Sequence, residues 1–301
     1  MNATASLFRK IALLVIVCFH FMGSPAYALE AKLDTQKIEQ LTGLKGKYNE
    51  QEGVFTVTLP RNDLKVTVAG AKMNPAMGLT AWATFTKTGE HTMVMGDLVL
   101  REDQVNPVMS AALENGLEVT ALHNHFFWDS PKIWFMHIGG MGNEEQLASA
   151  VGKTFDKLKQ TITHKPKIPH VAIDPAKTSL HPKIIDEIMG TSGELKNGVY
   201  KITIGRTTRM DGHEVGNAMG INTWAAFAGS DKQAVVDGDF ATFPNELQSV
   251  LKALRSAGIY IVAIHNHMTT EEPRMIFLHY WGIGSTASLA KGIKAALDTQ
   301  G

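Results

Sequence analysis

The order of apolar and polar residues along the chain first predicts β-strands. Four early stretches carry the two-residue period of an extended chain, in which successive side chains point to opposite faces of a sheet. They are VFTVTLP (54–60), LKVTVAG (64–70), AWATFTKTG (81–89) and TMVMGDLVL (92–100). Two further strands, LEVTALHNH (117–125) and KIWFMHI (132–138), follow after an interval with a different period.

Two segments keep a helical period instead. After the fourth strand, apolar residues recur three and four positions apart, at Val105, Val108, Met109, Ala112 and Leu113. Gly116 then stands where a helix ends in left-handed backbone. After the last strand, EEQLASAVGKTFDKL (144–158) has the same helical period. The pattern therefore predicts an α+β domain with two helices and a largely antiparallel or mixed sheet.

This order of elements occurs twice. MGLTAWATF at 77–85 matches MGINTWAAF at 219–227, an offset of 142 residues that continues without a gap to Gly142 and Gly284. The second copy has its own helical spacing, with Gly258 at the end of the helix and Pro244 suited to its first turn. Its last strands read IYIVAIHNH (259–267) and RMIFLHY (274–280). We conclude that the chain contains two tandem copies of one domain.

Between the copies lies a connector with four prolines, HKPKIPHVAIDPAKTSLHPK (164–183). Proline-rich stretches without a helical period mark domain boundaries. The sequence therefore predicts a first repeat domain over 29–163, a linker over 164–182 and a second repeat domain over 183–301.

The first residues have the pattern of a secretory signal peptide. Arg9 and Lys10 precede an apolar run over 11–22, and Ala26 and Ala28 have the small-x-small spacing of a cleavage site. We expect a signal peptide over 1–28, a periplasmic or secreted location, and no stable membrane anchor after cleavage. An uncleaved anchor is the alternative. The single cysteine, Cys18, lies in this segment, so the mature chain would have to build a metal site from His, Asp and Glu.

Composition narrows the functional classes. Hydrophobic residues make up 44% and charged residues 19% of the chain, which is typical of a soluble globular protein. The formal net charge is zero, which argues against a nucleic-acid partner held by a basic surface. The fourteen methionines fall mostly in apolar-patterned segments, so we expect core positions rather than a copper relay.

Histidines recur at identical spacing in the two copies. His123, His125 and His137 match His265, His267 and His279. Alternation would place the first two histidines of each set at the end of the buried stripe of their strand, on one face with Leu117, Val119 and Ala121. If the hairpin folds at the following turn, the third histidine joins them. This predicts a three-histidine metal site with an open position in each repeat. The alternative is a hairpin whose histidines are only hydrogen-bonded.

Acidic and basic residues near these histidines are candidates for chemistry. Asp129 and Glu271 occupy matched turn positions, where either could be a fourth ligand or a general base, or could simply form the turn. Lys132 and Arg274 could hold an anionic substrate, although a solvated cation is the plainer interpretation.

A matched pair of aspartates lies farther upstream. Asp97 and Asp239 follow glycines and could orient a histidine or form a bulge. Because the second repeat has the more acidic turn, it is our first choice for a working site.

These observations lead to one leading functional hypothesis and one alternative. The leading hypothesis is an exported metal-binding protein that uses a divalent cation, with zinc as first choice, as a hydrolase or lyase. The alternative is a non-catalytic ligand-binding or envelope accessory protein. Several divalent metals accept imidazole, so the sequence does not fix the metal, and it does not identify the small-molecule substrate.

Two resemblances add to this picture. MVMGDLVLREDQVNPVMSAALENGLEVTALHNH (93–125) and AIHNHMTTEEPRMIFLHYWGIG (263–284) resemble the LppY/LpqO family of exported bacterial proteins, whose function is not established. The resemblance implies Glu and Arg in the first repeat's turn, where this chain has Asp129 and Lys132 and so keeps the charges. More weakly, the histidine spacing is similar to the zinc triads of acetolactate decarboxylase-like proteins, which implies zinc-dependent lyase or hydrolase chemistry on a mixed sheet.

Overall fold

The structure of the protein is a computed structural model that describes residues 32–301. The predicted signal peptide over 1–28, with Cys18 and the cleavage site after Ala28, lies outside the described residues. Within residues 32–301, no helix combines the length and the apolar composition that crossing a bilayer requires.

The described part of the first repeat contains three α-helices and nine strands. In chain order these are α1 (Thr35–Thr42), β1 (Gly46–Asn49), β2 (Val54–Pro60), β3 (Thr67–Val68), β4 (Ala71–Lys72), β5 (Thr80–Thr88), β6 (His91–Arg101), α2 (Glu102–Glu114), β7 (Glu118–His123), β8 (Asp129–Ser130), β9 (Ile133–Gly142) and α3 (Glu144–Thr163).

The second repeat follows the same plan after the linker. Its elements are α4 (Pro182–Met189), β10 (Glu194–Lys196), β11 (Val199–Gly205), β12 (Thr208–Met210), β13 (His213–Val215), β14 (Asn222–Gly229), β15 (Ala234–Thr242), α5 (Leu247–Ser256), β16 (Tyr260–His265), β17 (Ile276–Gly284) and α6 (Thr286–Leu297).

The two repeats share a single twelve-stranded sheet. Its strand order is β1-β2-β5-β6-β9-β7-β16-β17-β15-β14-β11-β10, so the second repeat mirrors the order of the first about the centre. Strands β7 and β16 meet there in one antiparallel pair, Leu122 with Ile264. The predicted α+β class with a largely antiparallel sheet is confirmed, and the two copies extend one sheet rather than forming two.

The six α-helices form a continuous layer in the order α1-α3-α2-α5-α6-α4. The layer covers one face of the sheet. A Cβ atom at Gly140 would lie 3.0 Å from Leu147 of α3, and one at Gly282 would lie 2.8 Å from Leu289 of α6. The residues that alternate with these glycines therefore point to the opposite face, which we call the open face.

Several local predictions differ from the structure. LKVTVAG forms only the two-residue strand β3, and Pro244 lies in the turn before α5 rather than in its first helical turn. The apolar pattern did not predict the short first helix of each repeat, α1 and α4, because eight residues contain too few helical turns to show a clear period. The predicted helix ends at Gly116 and Gly258 are confirmed, since both residues have left-handed backbone with φ values of 86° and 74°.

A β-bulge in each central strand changes which residues share a face. Strand β7 pairs Val119 with Ile138 and then Ala121 with His137, so Thr120 is an extra residue. One extra residue reverses the alternation beyond it. Val119 is buried under the helices, whereas His123 shares the open face with His137. The prediction that the histidines continue the buried stripe is therefore wrong.

The same bulge occurs in the second repeat. Strand β16 pairs Ile261 with Tyr280 and then Ala263 with His279, which leaves Val262 as the extra residue. His265 and His279 therefore also face away from the helices.

Each bulge is held by the opposite repeat. The buried Asn106 side chain of α2 accepts a hydrogen bond from the Ile261 N–H (2.8 Å) and donates one to the Ile261 carbonyl (3.1 Å). Reciprocally, Gln248 of α5 accepts from the Val119 N–H (3.0 Å) and donates to its carbonyl (2.9 Å). The backbone groups beside a bulge are thus satisfied by an amide from the other repeat.

Candidate metal site

The three histidines of the second repeat come together on the open face. His265 is the last residue of β16, His279 lies on the neighbouring strand β17, and His267 follows two residues after β16 ends. The Nε2 atoms of His265 and His267 are 3.1 Å apart, and the rings of His265 and His279 stack with centroids 4.8 Å apart. The bulge at Val262 and the pairing of β16 with β17 produce this arrangement.

A carboxylate joins this cluster. Asp239 of β15 is the direct cross-strand partner of His279, and its Oδ2 lies 3.5 Å from Nε2 of His267. One ligand atom from each of Asp239, His265 and His267 lies within 4.8 Å of the others. In residues 32–301 this is the one set of three such groups with the spacing to hold a metal ion.

The carboxylate refines the predicted ligand set. His279 stacks on His265 but stands outside the set of three, with its Nδ1 3.4 Å from the Gly238 carbonyl. Asp239 was expected only to orient a histidine or to form a bulge. The sequence signal that could have found it is the Gly-Asp pair that recurs in both repeats.

Packing behind β15 fixes the strand that carries Asp239. Gly238 leaves room for the ring of Tyr280, since a Cβ at that position would lie 2.2 Å from the Tyr280 Cζ. The Tyr280 hydroxyl donates a hydrogen bond to the Trp224 carbonyl (2.9 Å), and this fixes the strands on both sides of Asp239. Replacing Gly238 would therefore disturb the position of the carboxylate beside it.

Two buried polar atoms of the site have no hydrogen-bond partner in the protein. They are Oδ1 of Asp239 and Nδ1 of His265. Buried polar atoms are nearly always paired, and an orphaned carboxylate oxygen is costly unless a cation or hydrogen-bond donor meets it. The donor set therefore fits a bound metal ion better than it fits a purely structural hydrogen-bond network.

The electrostatics of the group favour a cation. Burial raises the pKa of Asp239 from 3.8 to about 6, although the neighbouring His279 acts in the opposite direction. Burial, together with His279 and His267, lowers the pKa of His265 to about 4. Burial and His279 also lower the pKa of His267. At neutral pH the imidazoles of His265 and His267 are therefore uncharged and able to ligate, next to an ionised, poorly solvated carboxylate.

The site is fixed on one side and accessible on the other. The His267 ring lies flat on the Phe277 ring, with centroids 3.5 Å apart and planes 7° apart. The His267 side chain nevertheless keeps 33% of its surface exposed. Three ligands with an accessible side are typical of catalytic metal sites, whereas structural sites are closed by four protein ligands.

The first repeat contains the same residue types in a different arrangement. There, Nε2 of His123 lies 3.1 Å from Nε2 of His137, and His125 stacks on Phe135 with centroids 3.3 Å apart. Asp97 is the cross-strand partner of His137, and its Oδ1 is buried without a hydrogen-bond partner. The ring nitrogen of His123 therefore lies next to that of His137 on β9, whereas in the second repeat the ring nitrogen of His265 lies next to that of His267 in the loop.

The two acidic turn residues, Asp129 and Glu271, lie between β7 and β9 and between β16 and β17. Asp129 accepts hydrogen bonds from the Lys132 ammonium and the Ile133 N–H, both at 2.8 Å. Although burial raises the pKa of Asp129, these two bonds bring the pKa below its ordinary value. Glu271 accepts one hydrogen bond, from the Met275 N–H at 3.0 Å, and its Oε2 is buried without a partner. Both acids thus support the turn, and their role as bases stays a prediction.

The matched cation of the second repeat differs from Lys132. Arg274 is exposed and donates to the Thr269 carbonyl (3.3 Å). Neither cation lies within the set of metal-ligating groups.

We expect Asn106→Leu to weaken metal binding in the repeat that does not contain it. The change leaves the N–H and carbonyl of Ile261 unpaired, so the bulge that turns His265 to the open face loses its support. The expected result is roughly tenfold weaker zinc affinity for the second repeat and about 2 kcal/mol lower free energy of unfolding. Zinc titration and urea unfolding measure the two effects.

Gln248→Leu is the matched control for this prediction. It removes the equivalent bonds to Val119 and should destabilise the protein to a similar degree, while leaving the second repeat's zinc affinity unchanged. Equal weakening in both variants would show that the loss follows from general destabilisation and not from the bulge.

Comparison with known proteins gives a family but no activity. A family model described as Domain of Unknown Function (DUF1259) matches residues 36–157 and 183–299. No curated protein matches the chain. Among solved structures, the chain is similar to a trimeric bacterial microcompartment shell protein, PduB, with 9% identity over 84% of this chain and 89% of that one. The TM-score of 0.22 is too low for this likeness to support any inference.

Proposed function

Since the chain belongs to the DUF1259 family of domains of unknown function, present here in two tandem copies, we propose a function from the site itself. The protein is an exported metal-binding protein whose principal site is Asp239, His265 and His267. One observation carries the proposal: these three residues bring their ligand atoms within 4.8 Å of one another on the open face. The matching cluster in the first repeat is a second, weaker site.

We propose zinc as the metal, because two imidazoles and one carboxylate form a donor set that zinc binds. Zinc is a borderline cation that accepts both imidazole nitrogen and carboxylate oxygen, and three protein ligands would leave a position for water or substrate. Zinc in such a site lowers the pKa of a bound water towards neutrality and polarises carbonyl oxygens. The accessible side of His267 is where a small-molecule substrate would approach.

The proposed activity is that of a zinc-dependent hydrolase or lyase acting on a small carbonyl compound. The second repeat supports it better than the first, because Glu271 keeps one carboxylate oxygen free of hydrogen bonds whereas both oxygens of Asp129 are engaged. Within the proposal, Glu271 is therefore the candidate base. Export rests on the leader sequence over 1–28, and membership of the LppY/LpqO group rests on the motifs around the histidines.

Elemental analysis of the purified protein tests the proposal. We expect wild type to retain zinc after dialysis and His267→Ala to lose the tightly bound equivalent, because a ligand of the principal site is missing. His213→Ala is the control, since His213 is an exposed histidine of β13 outside the cluster. Equally low metal content in wild type and His267→Ala would contradict the proposal.

The same samples separate catalysis from simple binding. Turnover of a small aryl ester that disappears on chelation and returns with zinc supports hydrolase activity. Tight zinc binding with no zinc-dependent turnover of esters or 2-oxo acids would instead support the non-catalytic alternative.

A further inference from the structure

Three methionines lie together on the open face of the first repeat. Met93 of β6 is the direct cross-strand partner of Met141 of β9, and Met95 follows two residues after Met93 on the same face. Met95 is 57% and Met141 is 60% exposed, while Met93 is half-buried. The expectation that methionines occupy the core is therefore wrong for this group, which we call the methionine cluster.

The sheet geometry allows the three sulfur atoms to meet. Directly opposed residues have Cβ atoms about 4.5–5.5 Å apart, and diagonal neighbours about 7–8 Å apart, still within reach of long side chains. Methionine has three rotatable bonds and adapts its shape easily. Gly139 lies opposite Met95, and its missing side chain leaves space, because a Cβ there would meet only the Val94 carbonyl, at 3.7 Å.

The cluster is a feature of the first repeat and not a requirement of the fold. At the offset of 142 residues, the second repeat has Val235, Asp237 and Ile283 in place of the three methionines. The sheet forms with the same register in both repeats. The fold therefore does not require methionine at these three positions.

The residues farther along the same strands extend the cluster towards the histidines. Asp97 follows Met95 by two residues on the open face and pairs with His137. His137 in turn lies 3.1 Å from His123, nitrogen to nitrogen. The thioether side chains of the cluster and the imidazoles of His137 and His123 therefore lie on the same face of the sheet.

We propose that Met93, Met95 and Met141 form a thioether site for monovalent copper. Soft thioether ligands select Cu(I), whereas zinc and the alkaline-earth cations prefer imidazole and oxygen ligands. Three thioethers on an exposed sheet face would hold the ion without a thiolate. The site goes beyond the zinc function proposed for the second repeat and does not depend on it.

A competition titration tests the copper site. Under anaerobic conditions, full-length mature protein is titrated with Cu(I) against a coloured Cu(I) chelator. We expect wild type to withdraw one equivalent, and the triple variant Met93→Leu, Met95→Leu, Met141→Leu to lose at least tenfold in affinity for it. Leucine replaces methionine at nearly the same volume, so the thermal midpoint of the metal-free triple variant should stay close to that of wild type.

Two controls assign the loss to the cluster. Met219→Leu changes an exposed methionine of the second repeat and should leave Cu(I) affinity unchanged. Zinc binding by the second repeat should be the same in wild type and the triple variant, so failure of the copper site and failure of the zinc proposal are distinguishable. Unchanged Cu(I) affinity in the triple variant, or its loss only in His137→Ala, would overturn the proposal.

Oxidation footprinting gives an independent measurement. Silver(I) serves as a redox-inert substitute for Cu(I), and mass spectrometry follows peroxide conversion of each methionine to its sulfoxide. Silver should slow oxidation of Met95 and Met141 at least fivefold and leave Met219 unaffected. If silver left the oxidation rates of Met95 and Met141 unchanged, as it should for Met219, the proposal would also be overturned.

Discussion

Replacing Asp239 by asparagine is expected to weaken zinc binding about a hundredfold or more and, at the same time, to stabilise the metal-free protein. The two effects have one cause. A buried carboxylate with an unpartnered oxygen is a good ligand for a cation and an unfavourable group without one. A neutral amide removes both the ligand charge and the cost of burying that charge.

The size and pH dependence of the stabilisation follow from the pKa of Asp239. Its rise from 3.8 to about 6 means that the folded state binds the proton more tightly than the unfolded state does. The ionised carboxylate therefore costs the folded protein about 3 kcal/mol above pH 6. This cost falls between pH 6 and pH 4 and is absent below that range. Asp239→Asn should accordingly raise the free energy of unfolding by up to about 3 kcal/mol at pH 7, and by much less at pH 4.

Isothermal titration with zinc and denaturant unfolding after chelation measure the two effects. Asp97→Asn is the matched control, because it changes the equivalent residue of the first repeat and should leave the second repeat's zinc affinity intact. If Asp239→Asn lowered the stability of the metal-free protein at pH 7, Asp239 would be a structural residue and not a ligand held in an unfavourable environment.

Replacing Glu246 by glutamine is expected to cause the largest loss of stability, roughly 3 kcal/mol. Glu246 is buried and accepts two hydrogen bonds from the Arg206 guanidinium, at 2.5 and 2.9 Å, one from the Phe243 N–H at 2.9 Å and one from the Gln300 amide at 3.0 Å. Glutamine at this position leaves the Arg206 charge in a partly buried place without a counter-charge.

Comparison with the first repeat explains why glutamine is tolerated there. Gln104 occupies the matching position and accepts from Arg61 at 3.1 Å, but Arg61 also pairs with Asp63 at 2.8 Å. Over β2 and the residues directly after it the two repeats align at an offset of 145 residues, so Arg61 matches Arg206 and the second repeat has Thr208 where the first has Asp63. Among residues 32–301, Glu246 is therefore the acidic side chain that pairs with Arg206.

The effect of Glu246→Gln should depend on pH in a defined direction. Burial alone would raise the pKa of Glu246, but hydrogen bonds from Arg206 and Phe243 bring it below the ordinary value of 4.5. A lowered pKa in the folded state gives stability that is present above 4.5 and is lost as the carboxylate becomes protonated. The difference between wild type and variant should therefore be full at pH 7 and shrink below pH 4.5.

Urea unfolding at a series of pH values measures this difference. Glu272→Gln is the control, because Glu272 is an exposed glutamate and its substitution should change the free energy of unfolding by less than about 0.5 kcal/mol. A loss for Glu246→Gln that did not depend on pH would show that packing, and not the ion pair with Arg206, carries the effect.

The sequence by itself determined the repeat, the α+β class and most element positions. Strands such as β5 and β6 and helices such as α2 are long enough for their period to be recognised locally. Gly116 and Gly258 mark helix ends because glycine adopts left-handed φ values without the steric cost of a Cβ atom. The duplication then showed which histidines recur. For the metal site, the sequence therefore identified the histidines but did not predict how they are arranged in space.

Only the tertiary structure decided which way those residues point. A β-bulge adds one residue at Thr120 or Val262 and reverses every side chain beyond it, yet neither residue has a type that announces a bulge. The bulges depend on Asn106 and Gln248 of the opposite repeats, far away in the sequence. Asp239 enters the ligand set only because β15 pairs with β17, and the methionine cluster exists only because β6 pairs with β9. Alternation within a strand is a local property that the sequence carries, whereas strand pairing and bulge position depend on contacts between distant residues that one strand cannot encode.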